Sequence, residues 1–157
     1  MTERKGPAQL DKSDRIILKM LQEDCHVSLK KIGDRTGLSS STVHYRINRL
    51  VEEGVIEAFR ATVDPVKVGK DIIALSLITG KYGPDYAKIV GERLAKIPGV
   101  WAVYFTLGNI DFAVLLRAAS REELKRIVDS FSAIEGVERS NTYLVLDRIK
   151  EDPTVEV

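Results

Sequence analysis

Cysteine occurs once in this 157-residue chain, at Cys25, tryptophan once, at Trp101, and histidine twice, at His26 and His44. A lone thiol forms no intrachain disulfide, and one cysteine with two histidines leaves no cluster at zinc or iron–sulfur spacing. No apolar run approaches the length of a bilayer-spanning helix, and the opening MTERKGPAQ lacks the apolar core of a signal peptide. A cytoplasmic setting is therefore expected, with no membrane partner. Net charge is scarce as well: 24 cations against 23 anions leave +1, so the whole surface is not built to coat a polyanion. Also missing are a phosphate-cradling glycine loop, a zinc-deaminase signature and a hydrolase elbow. The scattered serines read as helix caps rather than members of a nucleophilic triad, so neither enzymatic activity nor a cofactor is expected.

What the chain does have is a concentrated pattern at residues 28–50, SLKKIGDRTGLSSSTVHYRINRL. Leu29 and Ile32 line one side of a short helix, and Gly37 breaks it. Ser39 then offers a hydroxyl cap to a second helix running towards Leu50. Val43, Ile47 and Leu50 recur at spacings of four and three, which makes one buried stripe. Advancing about 100° per residue from Val43 puts Ser41, Tyr45, Asn48 and Arg49 on the far face, with Thr42 and Arg46 on one flank and His44 on the other. Polar, planar and cationic groups on a small helix suit base edges and phosphates, so Ser41, Thr42, Tyr45, Arg46, Asn48 and Arg49 are the candidate contacts to double-stranded DNA. Lys30, Lys31, Arg35, Arg46 and Arg49 oppose only Asp34 between residues 28 and 49, a local balance of +4. A preceding helix, near Ser13 to Gln22, supplies Ile16, Ile17, Leu18, Met20 and Leu21 to a three-helix core. The sequence EEGVIEAFRATVD then brings a helix stop at Gly54 and a short extended segment, as a winged variant would. Arg4 and Lys5 lie in an N-terminal tail that reads as solvated.

A boundary falls at residues 61–71, where Asp64-Pro65 favours a turn and Gly69 relaxes the backbone. The expected domains are thus 1–60 and 72–157. Residues 65–157 carry thirteen cations and thirteen anions, which confines DNA contact to the first domain. Beyond the boundary come a strand (Ile72–Thr79), a helix from Pro84 to about Lys96, and strands Val100–Leu107 and Ile110–Arg117 joined by a tight Gly108-Asn109 link. A helix capped by Ser120 with Glu123 at capping-box spacing follows, then a strand near Arg139–Asp147. The order is βαββαβ. LAKIPGV at 94–100 is echoed by FSAIEGV at 131–137, as two related βα units would require. The expected class is α+β: a winged helix-turn-helix followed by a ferredoxin-like domain. Trp101, Val103, Phe105 and Leu107 alternate with Ala102, Tyr104 and Thr106, so both sheet faces need cover and a homodimer is expected.

The chain resembles the Lrp/AsnC, or feast/famine, family of transcription regulators over nearly its whole length. The resemblance is carried by LDKSDRIILKMLQED at 10–24, GLSSSTVHYRINRLVEEGVIEAF at 37–59, TVDPVKVG at 62–69, PGVWAVYFTLGNIDFAV at 98–114 and IEGVERSNTYLVL at 134–146. It implies a DNA-binding regulator whose dimers assemble further, up to octamers, and which binds a small effector such as an amino acid where dimers meet. In that setting Gly108 lets a backbone approach a ligand, Asp111 offers a carboxylate to an α-ammonium group, and Thr106 and Asn109 add hydrogen bonds. Ser140 and Thr142 occupy the final-strand region that contributes to the same interface. The alternative is an architectural protein that bends or wraps DNA without sensing a metabolite.

Overall fold

The computed structural model describes residue 6 and residues 8–81 and 83–157. The tail cations Arg4 and Lys5 lie outside the described residues. Two compact units form: one comprises the residues up to Thr62 together with Glu151–Val157, the other Val63–Lys150. The sequence reading kept residues 151–157 with the second domain. The Gln22 carboxamide draws them to the first, since its Nε2 donates to the Val155 carbonyl at 2.9 Å while its Oε1 accepts from the Val155 N–H at 2.7 Å.

The first unit contains α1 (Lys12–Glu23), α2 (Leu29–Thr36) and α3 (Ser40–Glu52). Each helix starts on a side-chain oxygen that accepts one of the N–H groups a helix N-terminus leaves unpaired: Asp11 for α1, Ser28 for α2 and Ser39 for α3. Gly37 ends α2 at φ 74°, a left-handed conformation that costs glycine little. The apolar stripes then close on one another, with Ile17, Leu18, Ile32, Val43, Ile47 and Leu50 forming the buried core. After Gly54, the Val55 and Ile56 N–H groups both donate to the Leu50 carbonyl, at 2.8 and 3.0 Å. Residues 55–64, where a wing would lie, carry no strand.

The second unit runs β1 (Ile72–Gly80), α4 (Tyr86–Ala95), β2 (Val100–Phe105), β3 (Phe112–Ala118), α5 (Arg121–Phe131) and β4 (Val137–Leu144). All pairings are antiparallel and the strand order is β2-β3-β1-β4, the expected ferredoxin-like arrangement. Ala74, Ile78, Phe112, Val114, Leu116 and Ala118 point to one sheet face and pack with Tyr86, Val90, Leu94, Ile127 and Phe131 of the two helices. The internal echo has a structural meaning. Leu94 and Phe131 are both fully buried, and Gly99 (φ 93°) and Gly136 (φ 99°) both turn the chain from helix into strand. In each turn the first strand residue donates back over three positions at 3.0 Å, Val100 to Ile97 and Val137 to Ile134.

Several expected boundaries move. β4 starts at Val137 and stops at Leu144, earlier than expected at both ends. β2 ends at Phe105, and residues 106–111 form a wider loop in place of a two-residue turn. The cause is Asp111, whose N–H donates to the Ile78 carbonyl at 2.9 Å and so enters the sheet before β3 begins. A register shift between Val100 and Ala102 interrupts β2 at Trp101, and beyond it the expected alternation holds. Val103 and Phe105 therefore pair with the core residues Val114 and Phe112, while Ala102 and Tyr104 pair with Leu115 and Ala113 on the opposite face. Trp101 sits at the irregularity, with its ring centroid 4.6 Å from the Arg117 guanidinium carbon.

Candidate nucleic-acid interface and sensor loop

Helix α3 is anchored by its stripe, and burial of Val43, Ile47 and Leu50 decides what the other sides show. Ser41, His44, Tyr45 and Asn48 are exposed, Tyr45 to 68 %. Thr42, Arg46 and Arg49 are only half-exposed, and the two arginines turn towards α1. Arg46 Nη1 donates to Asp11 Oδ2 at 2.6 Å and Asp14 Oδ1 at 2.9 Å, and Arg49 Nη2 donates to Asp14 Oδ2 at 2.7 Å. The outward placement expected for Arg49 is thus replaced by an inward one. Its position, about 120° from the centre of the buried stripe, belongs to the flank once α1 supplies a carboxylate there. Thr42 is held locally, its hydroxyl 2.8 Å from that of Ser39, which also lies 2.9 Å from the Ser41 hydroxyl.

Asp14 is 1 % exposed and serves both helices at once. Its Oδ2 accepts the Asp11 N–H at 3.1 Å, while Asp11 Oδ1 accepts the Asp14 N–H at 2.8 Å, a reciprocal cap on α1. That backbone bond, and then the Arg46 guanidinium, hold the Asp11 carboxyl down at about 2. The hydrogen bonds to Asp11 and then Asp14 push the Arg46 pKa further up, so the guanidinium is firmly charged. Two of the five cations counted at residues 28–49 are therefore neutralised from α1. Lys30, Lys31 and Arg35 remain exposed on α2 with no ion-pair partner among the described residues. Sequence reasoning missed Asp11 and Asp14 as partners, although their three-residue spacing before an apolar run is a cap signal. His44, outside the candidate contacts, is exposed on α3. Its ring Nε2 stands 3.2 Å from Asn48 Nδ2, one helical turn away.

The second group of candidates gathers only in part. Gly108 and Asn109 are exposed at the crest of the 106–111 loop beside Leu107, which is 96 % exposed. The loop is closed by the Thr106 N–H donating to the Asp111 carbonyl at 2.8 Å and by the Thr106 hydroxyl donating to the Ile110 carbonyl. Asp111, by contrast, is buried at 5 % exposure, and its Oδ2 accepts the Gly80 N–H at 2.7 Å and the Tyr86 hydroxyl at 3.3 Å. Within one protomer that carboxylate ties the end of β1 to the start of α4. Gly80 is required there, because a Cβ would lie 2.0 Å from the Gly136 carbonyl oxygen and 2.1 Å from the Tyr86 hydroxyl. Ser140 pairs with Ile78 and so lies across β1 from Asp111. Thr142 is not brought to the loop. It pairs with Ser76 two residues further along the strand, and the two hydroxyls are 2.7 Å apart.

Comparison with known proteins matches both units. Residues 10–57 fit the family model for a winged helix-turn-helix DNA-binding domain, and residues 73–155 that for the Lrp/AsnC ligand binding domain. An HTH-type transcriptional regulator, FL11 of Pyrococcus furiosus, is 42% identical over 148 residues, covering 94% of this chain and 97% of its own. The FL11 regulator of Pyrococcus horikoshii is 41% identical over 142 residues, covering 90% and 93%. A feast or famine regulatory protein from M. tuberculosis, solved in complex with L-methionine, superposes with a TM-score of 0.85 at 28% identity, covering 95% of this chain and all of that one. E. coli AsnC shares the fold, with a TM-score of 0.85 at 22% identity over 96% of this chain and all of its own.

Proposed function

From the premise that this chain belongs to the Lrp/AsnC family and is a DNA-binding transcription regulator, we propose which surfaces do the work. The observation that carries the proposal is the exposed face of α3. Ser41, Tyr45 and Asn48 project from a helix whose opposite side is locked into the core, so they meet DNA without rearrangement. Lys30, Lys31 and Arg35 supply the charge for phosphates, and the α3 N-terminus, with Ser39 to Thr42, adds hydroxyls and N–H groups of the kind phosphates accept. Arg46 and Arg49 orient α3 by their bonds to α1.

The second unit joins copies of the chain and senses a small molecule. Homodimers form through the sheet face opposite α4 and α5, and dimers assemble further, up to an octamer. An amino acid is the effector class, supported by the relative solved with L-methionine. Its place is the 106–111 loop, where Gly108 and Asn109 face outward and a neighbouring dimer completes the site. Asp111 acts there as the post that fixes the loop to β1 and Tyr86. A DNA partner supports a cytoplasmic setting, and no helix among the described residues is long and apolar enough to cross a membrane.

One titration tests both halves. The full chain is added to labelled duplexes selected from genomic fragments and to scrambled controls, at several salt concentrations, with and without each proteinogenic amino acid. Tyr45→Ala is expected to weaken specific binding roughly tenfold, in line with loss of a base or sugar contact of about 1–3 kcal/mol. One or more amino acids should shift the wild-type curve or the assembly mass. Affinity of Tyr45→Ala unchanged from wild type for both duplexes would remove Tyr45 from the contact surface. A full panel that moves neither curve nor mass would favour the architectural reading.

A further inference from the structure

We propose that His44 and Asn48 form an adenine-reading pair in which His44 is a positioning residue for the Asn48 carboxamide. This rests on the reading of α3 as the DNA-contacting helix. Both side chains are exposed, and they lie at i and i+4, so they stand one above the other on the helix surface. Asn48 Nδ2 is 3.2 Å from His44 Nε2. An amide nitrogen only donates, so in this contact the ring nitrogen accepts. One amide hydrogen is thereby committed to His44. The other hydrogen and Oδ1 are left to meet a base, as one donor beside one acceptor. Adenine presents the complementary pattern in the major groove, N7 as acceptor and the N6 amino group as donor. Guanine presents two acceptors there.

The histidine matters because a solvent-exposed carboxamide alone turns over easily and then offers its donor and acceptor in the opposite sense. With His44 in place, turning over breaks this hydrogen bond, and forming one to Oδ1 instead requires the imidazole proton to move to Nε2. His44 therefore restrains the carboxamide before DNA arrives, which is preorganisation for a base edge. The arginines that would otherwise favour guanine are held elsewhere, since contact by Arg46 or Arg49 requires breaking charge-assisted bonds to Asp11 and Asp14. The same helix thus withholds its guanine readers and presents an adenine reader.

The test is selection of duplexes from a random pool by full-length wild type, Asn48→Ala, His44→Ala and His44→Gln, with sequencing of the bound fraction. The expected result is strong enrichment of adenine at one position per half-site for wild type. Asn48→Ala should reduce that preference roughly tenfold, the scale of one bidentate contact. His44→Ala should give an intermediate preference with guanine admitted, and His44→Gln, whose carbonyl can accept from the same amide, should restore it in part. The salt dependence of affinity should stay constant across the four, because no phosphate contact changes. Thermal unfolding of each variant confirms that the exposed substitutions leave the fold intact. The pair is overturned if Asn48→Ala keeps the wild-type base preference, and the role of His44 is overturned if His44→Ala keeps full discrimination. If Tyr45→Ala weakens binding while either of those holds, the adenine pair fails and α3 remains the reading helix. If neither Tyr45→Ala nor Asn48→Ala changes binding, the reading of α3 fails with it.

Discussion

A single buried carboxylate, Asp14, separates what α3 shows to solvent from what it keeps. It accepts from both α3 arginines and from the Asp11 backbone. Removing it leaves Arg49 Nη2 and the Asp11 N–H without their acceptor and Arg46 with Asp11 alone. Asp14→Ala is expected to destabilise the first unit by about 3 kcal/mol, the lower end for breaking a buried ion pair, because Arg46 and Arg49 retain 22% and 32% side-chain exposure. Denaturant unfolding followed by a probe in the first unit measures it. A loss under about 0.5 kcal/mol would match an ordinary surface pair instead and sink the assignment. Asp11 makes a separate, pH-dependent contribution. Its carboxyl is lowered to about 2 in the folded protein from an ordinary 3.8, so the folded state holds fewer protons than the unfolded state between those values. The stabilisation is present above about pH 4 and is lost as pH falls towards 2. A carboxylate titration by NMR should place Asp11 below the other exposed aspartates, and Arg46→Gln should move it back up. These partners were hard to read from sequence. The wheel for α3 orders its own side chains correctly, with Ser41, Tyr45 and Asn48 outward, but it contains no information about α1. Whether Arg49 faces water or Asp14 is settled by packing between segments 35 residues apart.

Elements were legible wherever local chemistry and burial agreed. All five helices carry apolar stripes, and four of them begin on a side-chain cap; α4 is the exception, starting after Asp85 without one. The βαββαβ order followed from the strand runs, and the repeated Ile-x-Gly-Val turns fixed both helix-to-strand joints. The sequence pattern failed where one residue acted across the sheet. Gly108-Asn109 has the composition of a two-residue hairpin, yet burial of Asp111 against Gly80 and Tyr86 pulls the chain inward and widens the loop. The irregularity at Trp101 likewise lay outside the pattern, although the alternation from Ala102 to Phe105 is the expected one. The glycines that end helices differ in a way that burial decides. A Cβ at Gly37 would meet nothing within 4 Å, so Gly37→Ala should cost only the left-handed backbone penalty, about 1–2 kcal/mol. A Cβ at Gly99 would lie 2.5 Å from Ile127 Cδ1 and 2.9 Å from the Arg117 carbonyl oxygen. Gly99→Ala adds overpacking to the same penalty and should cost about 2–5 kcal/mol. Comparing the two variants by unfolding tests the account. Equal costs would mean that the second unit relaxes around the added methyl group.

At the scale of the whole molecule the sheet poses the remaining problem. One face is covered by α4 and α5. The other carries Ile73, Leu75, Leu77, Leu115 and Tyr104, with Tyr143 paired beside Leu75 in the edge strand. None of these is fully buried in the single chain, and Tyr104 and Tyr143 are each 57% exposed. A contiguous apolar face of this kind on a small unit is costly in water, and a second copy of the same face is its natural complement because a two-fold axis matches each patch to itself. The net charge of +1 sets up little long-range repulsion between copies. The proposed dimer would also serve DNA binding, since two copies of α3 related by a two-fold axis fit pseudopalindromic half-sites, and the affinity of a linked pair exceeds that of either one. The decisive variant is Leu75→Lys. Leu75 lies between Leu115 and Tyr143 on β1, a central strand, so a lysine there sets two ammonium groups near the middle of the joined sheets with no acid in register to receive them. Burial of an unpaired charge costs several kcal/mol, more than the apolar contact of one leucine returns. Sedimentation of the full chain at micromolar concentration should show wild type as a dimer or a multiple of it, and Leu75→Lys as a folded monomer. Binding of the variant to a two-half-site duplex should fall to the level of a single half-site. A variant that remains dimeric would place the interface elsewhere, and a wild type that sediments as a monomer would leave the open face without the partner argued for it.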